Sequence, residues 1–197
     1  LAAMDRYCYH VAGVVGEMLT RLFCEHSGAI ARHRSRLMPL SVSFGQGLQM
    51  TNILKDIWAD LERGACWLPR SVFEEAGFDL KNLAPNAYNA AFGCGLTSLV
   101  AIAHGHLRNA VRYTLLIPRE ETGIRNFCLW AIGMALLTLR KIHQHPDFAH
   151  GDAVKISRRS VRATVIASRI AARSDRAIRM LFQVAAAGLP LTHTEVN

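Results

Sequence analysis

Along most of the chain, apolar residues recur three and four positions apart, with polar residues between them. From about Met4 to Cys24 the apolar set is Val11, Val14, Val15, Met18, Leu19 and Leu22, which predicts one amphipathic helix. A Ser/His-rich stretch leads to a short basic segment, 29–37. Pro39 is expected near the first turn of the next helix, where its missing N–H costs little. That helix is predicted from about Leu40 to Arg63, with Gly64 as its stop. Cys66-Trp67-Leu68-Pro69 reads as a loop. Ser71, with Glu74 three residues on, has the form of a capping box for a short helix that Gly77 ends. A looser segment covers 79–86. Two long helices are predicted, about Ala87 to Leu116 and Glu120 to His143, divided by Pro118. Pro146 and Gly151 mark a linker to a last helix, about Ser157 to Ala187, which Gly188 and Pro190 end; 191–197 is expected to be a frayed tail. Few stretches alternate at period two, and there is no internal repeat. The expectation is therefore an all-α chain folding as a single domain over 1–190.

Composition narrows the class. The 197 residues suffice for one domain with a proper core, and an apolar fraction of 51% excludes a disordered chain. The longest apolar run, Phe127 to Leu139, falls short of the roughly 20 residues that span a bilayer, so a buried core helix is expected there. Lys and Arg number 23 against 15 Asp and Glu, a formal charge of +8. The densest basic stretch carries Lys155, Arg158, Arg159, Arg162, Arg169, Arg173, Arg176 and Arg179, opposed in sequence only by Asp175. Either a solvated helix face or an anion-binding surface fits that run. It comes with no zinc-finger, RNP-type or basic-zipper pattern, so no nucleic-acid partner is expected. The five Cys (8, 24, 66, 94, 128) are odd in number and widely spaced, which argues against a disulfide framework or zinc site and for a reducing compartment. His143 and His145 are expected at the surface.

The segment with the most chemistry is Gln49-Met-Thr-Asn52-Ile-Leu-Lys55-Asp56-Ile-Trp-Ala-Asp60. At about 100° per helical residue, Gln49, Asn52, Asp56 and Asp60 share one stripe, away from Ile53, Leu54, Ile57 and Trp58. Two acids four apart repel on a bare helix, and a divalent cation would compensate them; Mg²⁺ takes one or two carboxylates plus phosphate oxygens. The plainer alternative is that Asp56 and Asp60 are surface charges offset by Lys55 and Arg63.

The stretch from Phe44 through Gln49, Asn52, Lys55 and Asp56 to Asp60, followed by Trp67-Leu68-Pro69, resembles the second aspartate-rich motif of the squalene/phytoene synthases. Upstream, Met4 to Gly16 resembles the Tyr-containing signature of that family. Downstream, Asn126-Phe127-Cys128 and Gly151-Asp152-Ala153-Val154-Lys155-Ile156 resemble two later squalene synthase segments. The resemblance implies an all-α isoprenoid-synthase fold, of which this chain would supply the C-terminal two-thirds. It implies Mg²⁺-dependent head-to-head condensation of two farnesyl diphosphates through presqualene diphosphate to squalene, with NADPH as reductant. By position, Asp56 and Asp60 would be the Mg²⁺-binding acids. Gln49, Asn52 and Lys55 would line the substrate cavity. Tyr7 would stand by the reacting carbons, Val11 and Gly13 would shape the wall, Phe127 would face carbocations, and Lys155, with Asn52, would meet diphosphate or NADPH.

The sequence also departs from the family. The first aspartate motif, expected upstream of the Tyr segment, is absent from these residues, so a further N-terminal segment or a partner subunit is expected, and impaired activity for this chain alone. Ala59 replaces an acid, Lys55 an Arg, Ala65 an Arg, and Ala131-Ile132 a Pro-Gln. A phytoene or dehydrosqualene synthase is the alternative within the family; a non-catalytic assembly or binding protein is the alternative outside it. The expected location is cytoplasmic, with the Arg-rich last helix in peripheral contact with an anionic membrane face.

Overall fold

A computed structural model describes residues 1–192. Among them every regular element is helical. The predicted helix from Met4 to Cys24 is present as α1 (Ala2–Cys8), a π-helical turn at Tyr9–Gly13, and α2 (Val14–His26). Its apolar stripe is not the core face. Val11, Val14, Val15, Met18 and Leu22 are exposed, whereas Met4, Cys8, Gly13 and Thr20 are buried. The reason is the small residues between them. A Cβ on Gly16 would lie 2.4 Å from the Ser41 carbonyl oxygen, and one on Gly45 2.3 Å from that of Ala12. The backbones meet there, and the larger side chains are left facing away.

After α3 (Gly28–Ala31), α4 (Arg34–Lys55) begins earlier than expected and holds Pro39 inside it. The N–H missing at Pro39 would have bonded to Ser35, an exposed residue whose carbonyl water can satisfy. The helix also stops earlier. Asp56, at φ −99° and ψ 13°, leaves helical geometry, and α5 (Ile57–Glu62) resumes beyond it. α6 (Arg70–Glu75) starts after Pro69 with no side-chain cap, so the expected Ser71 capping box is not formed. Gly77 does end that segment, at φ +84°. A 3₁₀ turn at Leu80–Asn82 leads to α7 (Ala90–Leu116), capped by Asn89, which accepts from the N–H groups of Ala91 and Phe92. Then come α8 (Thr122–Gln144) and α9 (Gly151–Val154).

The predicted last helix is two: α10 (Arg158–Ala171), capped by Ser157, and α11 (Asp175–Ala185), capped by Ser174. Gly188, at φ +82°, follows α11. Residues 193–197, most of the expected tail, lie outside the described residues.

The core sits between α4, α7 and α8, where Leu54, Leu96, Leu99, Leu107, Leu136 and Leu139 are almost wholly buried. α7 and α8 are long and apolar enough to cross a membrane by length and composition, but here they are the centre of the bundle. Burying a leucine side chain contributes about 2 kcal/mol. Ser43 on α4 joins the core to a polar pair on α7: Asn109 donates to its Oγ at 3.0 Å, and the same oxygen lies 2.8 Å from His106 Nδ1. Burial drives the His106 imidazolium pKa down to about 4, so the ring is neutral at pH 7.

Arg125, 1% exposed, ties the far end together. It donates to the carbonyls of Ile117 and Ala172 and to the Asp175 carboxylate, which Arg119 also grips. Burial pushes the Asp175 carboxyl up, but the hydrogen bonds and charges of Arg119 and Arg125 together hold it below its ordinary value. Asp175, the one acid near the Arg-rich stretch in sequence, is therefore committed elsewhere.

Candidate functional site

One face of α4 organises the candidate site. Ser41, Phe44, Gly45 and Leu48 on that face line an apolar cavity of about 260 Å³, open to solvent on one side, whose other walls come from the first helix, Tyr113 and α8. Val11 and Phe127, both singled out from sequence, meet in this cavity, and Gly13 is buried beside it. The walls carry little polarity. The Tyr113 hydroxyl is engaged with Thr20 Oγ1 at 3.0 Å, and its ring meets Phe44 edge-on at 5.9 Å between centroids. Burial pushes the Cys128 thiol up to about 12, so it lines the cavity as a neutral group. Such a lining suits a hydrocarbon chain, and its aromatic faces suit a developing cation.

One and two turns further along α4 come Asn52, exposed, and Asp56, half-buried; Gln49, also half-buried, precedes them. Neither amide is buried, so neither depends on a ligand to satisfy it. Asp56 opens onto a second cleft of about 380 Å³, lined also by Lys55, Glu62, His150, Asp152 and Lys155. Lys55 lies 3.3 Å from Asp56 Oδ2. Lys155 reaches Asp152 at 3.6 Å, and its carbonyl accepts from Lys141 at 2.6 Å. α9 comes close because it begins with Gly151: a Cβ there would lie 3.1 Å from the Lys55 carbonyl oxygen and 3.9 Å from Asp56 Oδ1.

Asp60 is not in that cleft. The helix break at Asp56 turns it toward a small cavity beneath the Cys66-Trp67-Leu68 loop, and its carboxylate pairs with Arg63. Tyr7 comes to the same loop, stacked on Trp67 with ring centroids 4.3 Å apart and 15° between planes. Seven of the nine residues singled out from sequence thus fall into three groups. Val11 and Phe127 share the apolar cavity; Asp56, Lys55 and Lys155 share the polar cleft; Tyr7 and Asp60 flank the Trp67 loop. Gln49 and Asn52 lie along α4 between the first two. The offsetting ion pairs, Lys55 with Asp56 and Arg63 with Asp60, are both present.

Among the described residues no three His, Cys, Asp or Glu side chains converge on one point. The polar cleft offers Asp56, with Glu62 and Asp152 on its walls, so a cation bound there would have to complete its shell with water and phosphate oxygens, a habit of Mg²⁺. Asn52 and Lys155 are exposed and suit a phosphate of a substrate or of a dinucleotide alike. Sequence reasoning passed over Glu62 and His150 as site residues, since neither lies in a resembling block. Phe44 and Asp152 do lie in such blocks, and that was the available signal.

The family model for squalene/phytoene synthase matches residues 1–160. A squalene synthase of Gibberella zeae is 32% identical over 160 residues, covering 77% of this chain and 34% of its own length. A 15-cis-phytoene synthase of Enterobacter agglomerans is 33% identical over 137 residues, covering 70% and 42%. The solved complex of TcSQS with BPH1237 superposes with a TM-score of 0.67 at 24% identity, covering 94% of this chain and 60% of that one. With most of its length under the family model and an all-α fold shared with that structure, the chain belongs to the squalene/phytoene synthase family. It spans about a third of the fungal squalene synthase and well under half of the bacterial phytoene synthase.

Proposed function

We propose that the chain is part of a prenyl transferase that joins two prenyl diphosphates head to head, with farnesyl diphosphate as substrate and squalene as product. The observation that carries this reading is the single face of α4, which runs from the apolar cavity at Phe44 and Leu48, past Asn52, to the polar cleft at Asp56. Twelve helical residues separate Phe44 from Asp56, about 18 Å at 1.5 Å per residue. An oily chain with a charged head fits that succession.

Asp56 would hold the divalent cation from the polar cleft, and Asp60, one turn on, would share it by giving up its pair with Arg63; the cation would neutralise charge on the departing diphosphate. Lys55 and Lys155 bind diphosphate oxygens at the mouth of the polar cleft. Phe127 and Val11 exclude water from the chain, and the Phe127 ring faces the carbon that gains positive charge. Tyr7, held by its stack on Trp67, positions its hydroxyl for proton transfer. Asn52 orients the head group, and with Lys155 it meets NADPH where squalene is formed. The exposed face of Val11, Val14, Val15, Met18 and Leu22 supports closure by a further segment of the full-length protein or by a partner. That segment would bring the second set of acids.

Product analysis of the full-length protein with Mg²⁺ and either farnesyl or geranylgeranyl diphosphate, with and without NADPH, tests this. A C30 product completed only with NADPH is expected. A C40 product from geranylgeranyl diphosphate would replace it with the phytoene synthase reading. No product, together with no Mg²⁺-dependent affinity for a diphosphate analogue, would leave the assembly protein.

A further inference from the structure

The two helices after the cleft present an outer face that the candidate site does not use. On α10 and the turn that follows it, at about 100° per residue, Arg158, Arg159, Arg162, Ile166, Arg169, Ile170 and Arg173 fall within an arc of about 120°. All are exposed, while Ser168, Ala171 and Ala172 on the opposite side are buried. On α11 the outer stripe is Arg176, Arg179, Met180 and Val184, again exposed, with Ile178 buried behind it. Ile170 is 77% exposed and Val184 70%, among the most exposed large apolar side chains described. The only acid on these two helices is Asp175, and its carboxylate is paired with Arg119 and Arg125.

We infer that the outer face of α10 and α11 docks on an anionic lipid bilayer. Two features on one face require this partner together. The guanidinium groups call for negative charge, and branched aliphatic side chains standing between them call for an apolar phase a few ångströms deeper. A bilayer interface offers both: the aliphatic side chains enter the acyl boundary while the Arg stems lie along it and their heads reach lipid phosphates. A nucleic-acid surface would satisfy only the charge. Buried Arg125 donates to the Ala172 carbonyl and to the half-buried Asp175 carboxylate, which ties down the turn between the two helices. The inference does not depend on the reaction proposed above.

Co-sedimentation of the full chain with vesicles tests it. Binding to phosphatidylcholine vesicles containing about 30% phosphatidylglycerol should exceed binding to pure phosphatidylcholine by at least about tenfold and weaken as salt is raised. The double variant Ile170→Asp with Val184→Asp should lose binding by a similar factor while its circular dichroism spectrum stays that of the parent. The triple variant Arg162→Gln, Arg169→Gln, Arg173→Gln should bind neutral and anionic vesicles equally. The inference is overturned if the parent binds neither vesicle, or if the aspartate variant binds as the parent does. Affinity for duplex DNA or RNA that exceeds vesicle affinity and is unchanged in the Ile170→Gln, Val184→Gln double variant would also overturn it, and would assign the face to nucleic acid.

Discussion

The apolar cavity and the polar cleft share one helix face, yet they are made in different ways. The cavity is defined by what is missing. Gly16 and Gly45 let two backbones touch, and the larger side chains splay to leave a space lined by Phe44, Leu48 and Phe127. The cleft is defined by what interrupts. At Asp56 the helix stops, the carboxylate opens to solvent, and Gly151 allows another element to close in with Asp152 and Lys155. The first depends on steric fit and the second on charge, so substitutions should separate them.

The largest effect is expected at Asp56. Asp56→Asn should weaken Mg²⁺-dependent binding of inorganic diphosphate about a hundredfold by titration calorimetry. Phe127→Ala should leave that affinity alone while weakening a prenyl-chain analogue about tenfold. If both variants changed both affinities alike, the two halves would be one site without division.

Next comes the crossing. Gly45→Ala puts a methyl into the Ala12 carbonyl and should cost about 2 kcal/mol in urea unfolding, with the prenyl analogue also bound less well and diphosphate unaffected.

His106, behind the cavity wall, gives the pH dependence. Its pKa is lower folded than unfolded, so between about pH 6.5 and 4 the unfolded chain takes up a proton that the folded one does not. Stability should fall by about 3 kcal/mol as pH drops through that window. His106→Asn should flatten the slope while leaving diphosphate affinity at pH 7 unchanged. Asp175 acts lower still. Its carboxyl is held below the ordinary value, so its contribution is present above about pH 4 and lost as pH falls through the folded pKa.

The smallest expected effect is at the loop. Trp67→Ala removes the stack on Tyr7 and should cost about 1 kcal/mol in the same unfolding assay.

The sequence made the helical class legible because the apolar period persists through every long segment. It misplaced surfaces and breaks for identifiable reasons. The stripe Val11, Val15, Met18 and Leu22 has the period of a core face, but Gly13 and Gly16 outrank it, because backbone contact requires the absence of a side chain. The break at Asp56 has no Gly or Pro to announce it. The break before α11 did have a signal, Ser174 followed by Asp175, and the apolar period on either side concealed it. In the candidate site, the blocks around Tyr7, Asp56, Phe127 and Lys155 were visible by resemblance. Their division among a cavity, a cleft and a loop was not, because it depends on where the chain bends.

The π-helical turn at Tyr9–Gly13 amounts to one residue more than an α-helix would use over the same stretch. It therefore buffers register. The extra residue is taken up within the turn, so α1 and α2 keep the faces that one unbroken α-helix would give them. Deleting one position among Tyr9, His10 and Val11 would leave a plain α-helix over the stretch, with Tyr7 still on Trp67 and Met4 and Cys8 still in the core. The same deletion within α2, where no residue is spare, would turn the helix before it by about 100° about its axis. A lineage of such chains can lose a codon in the turn without moving the phenol.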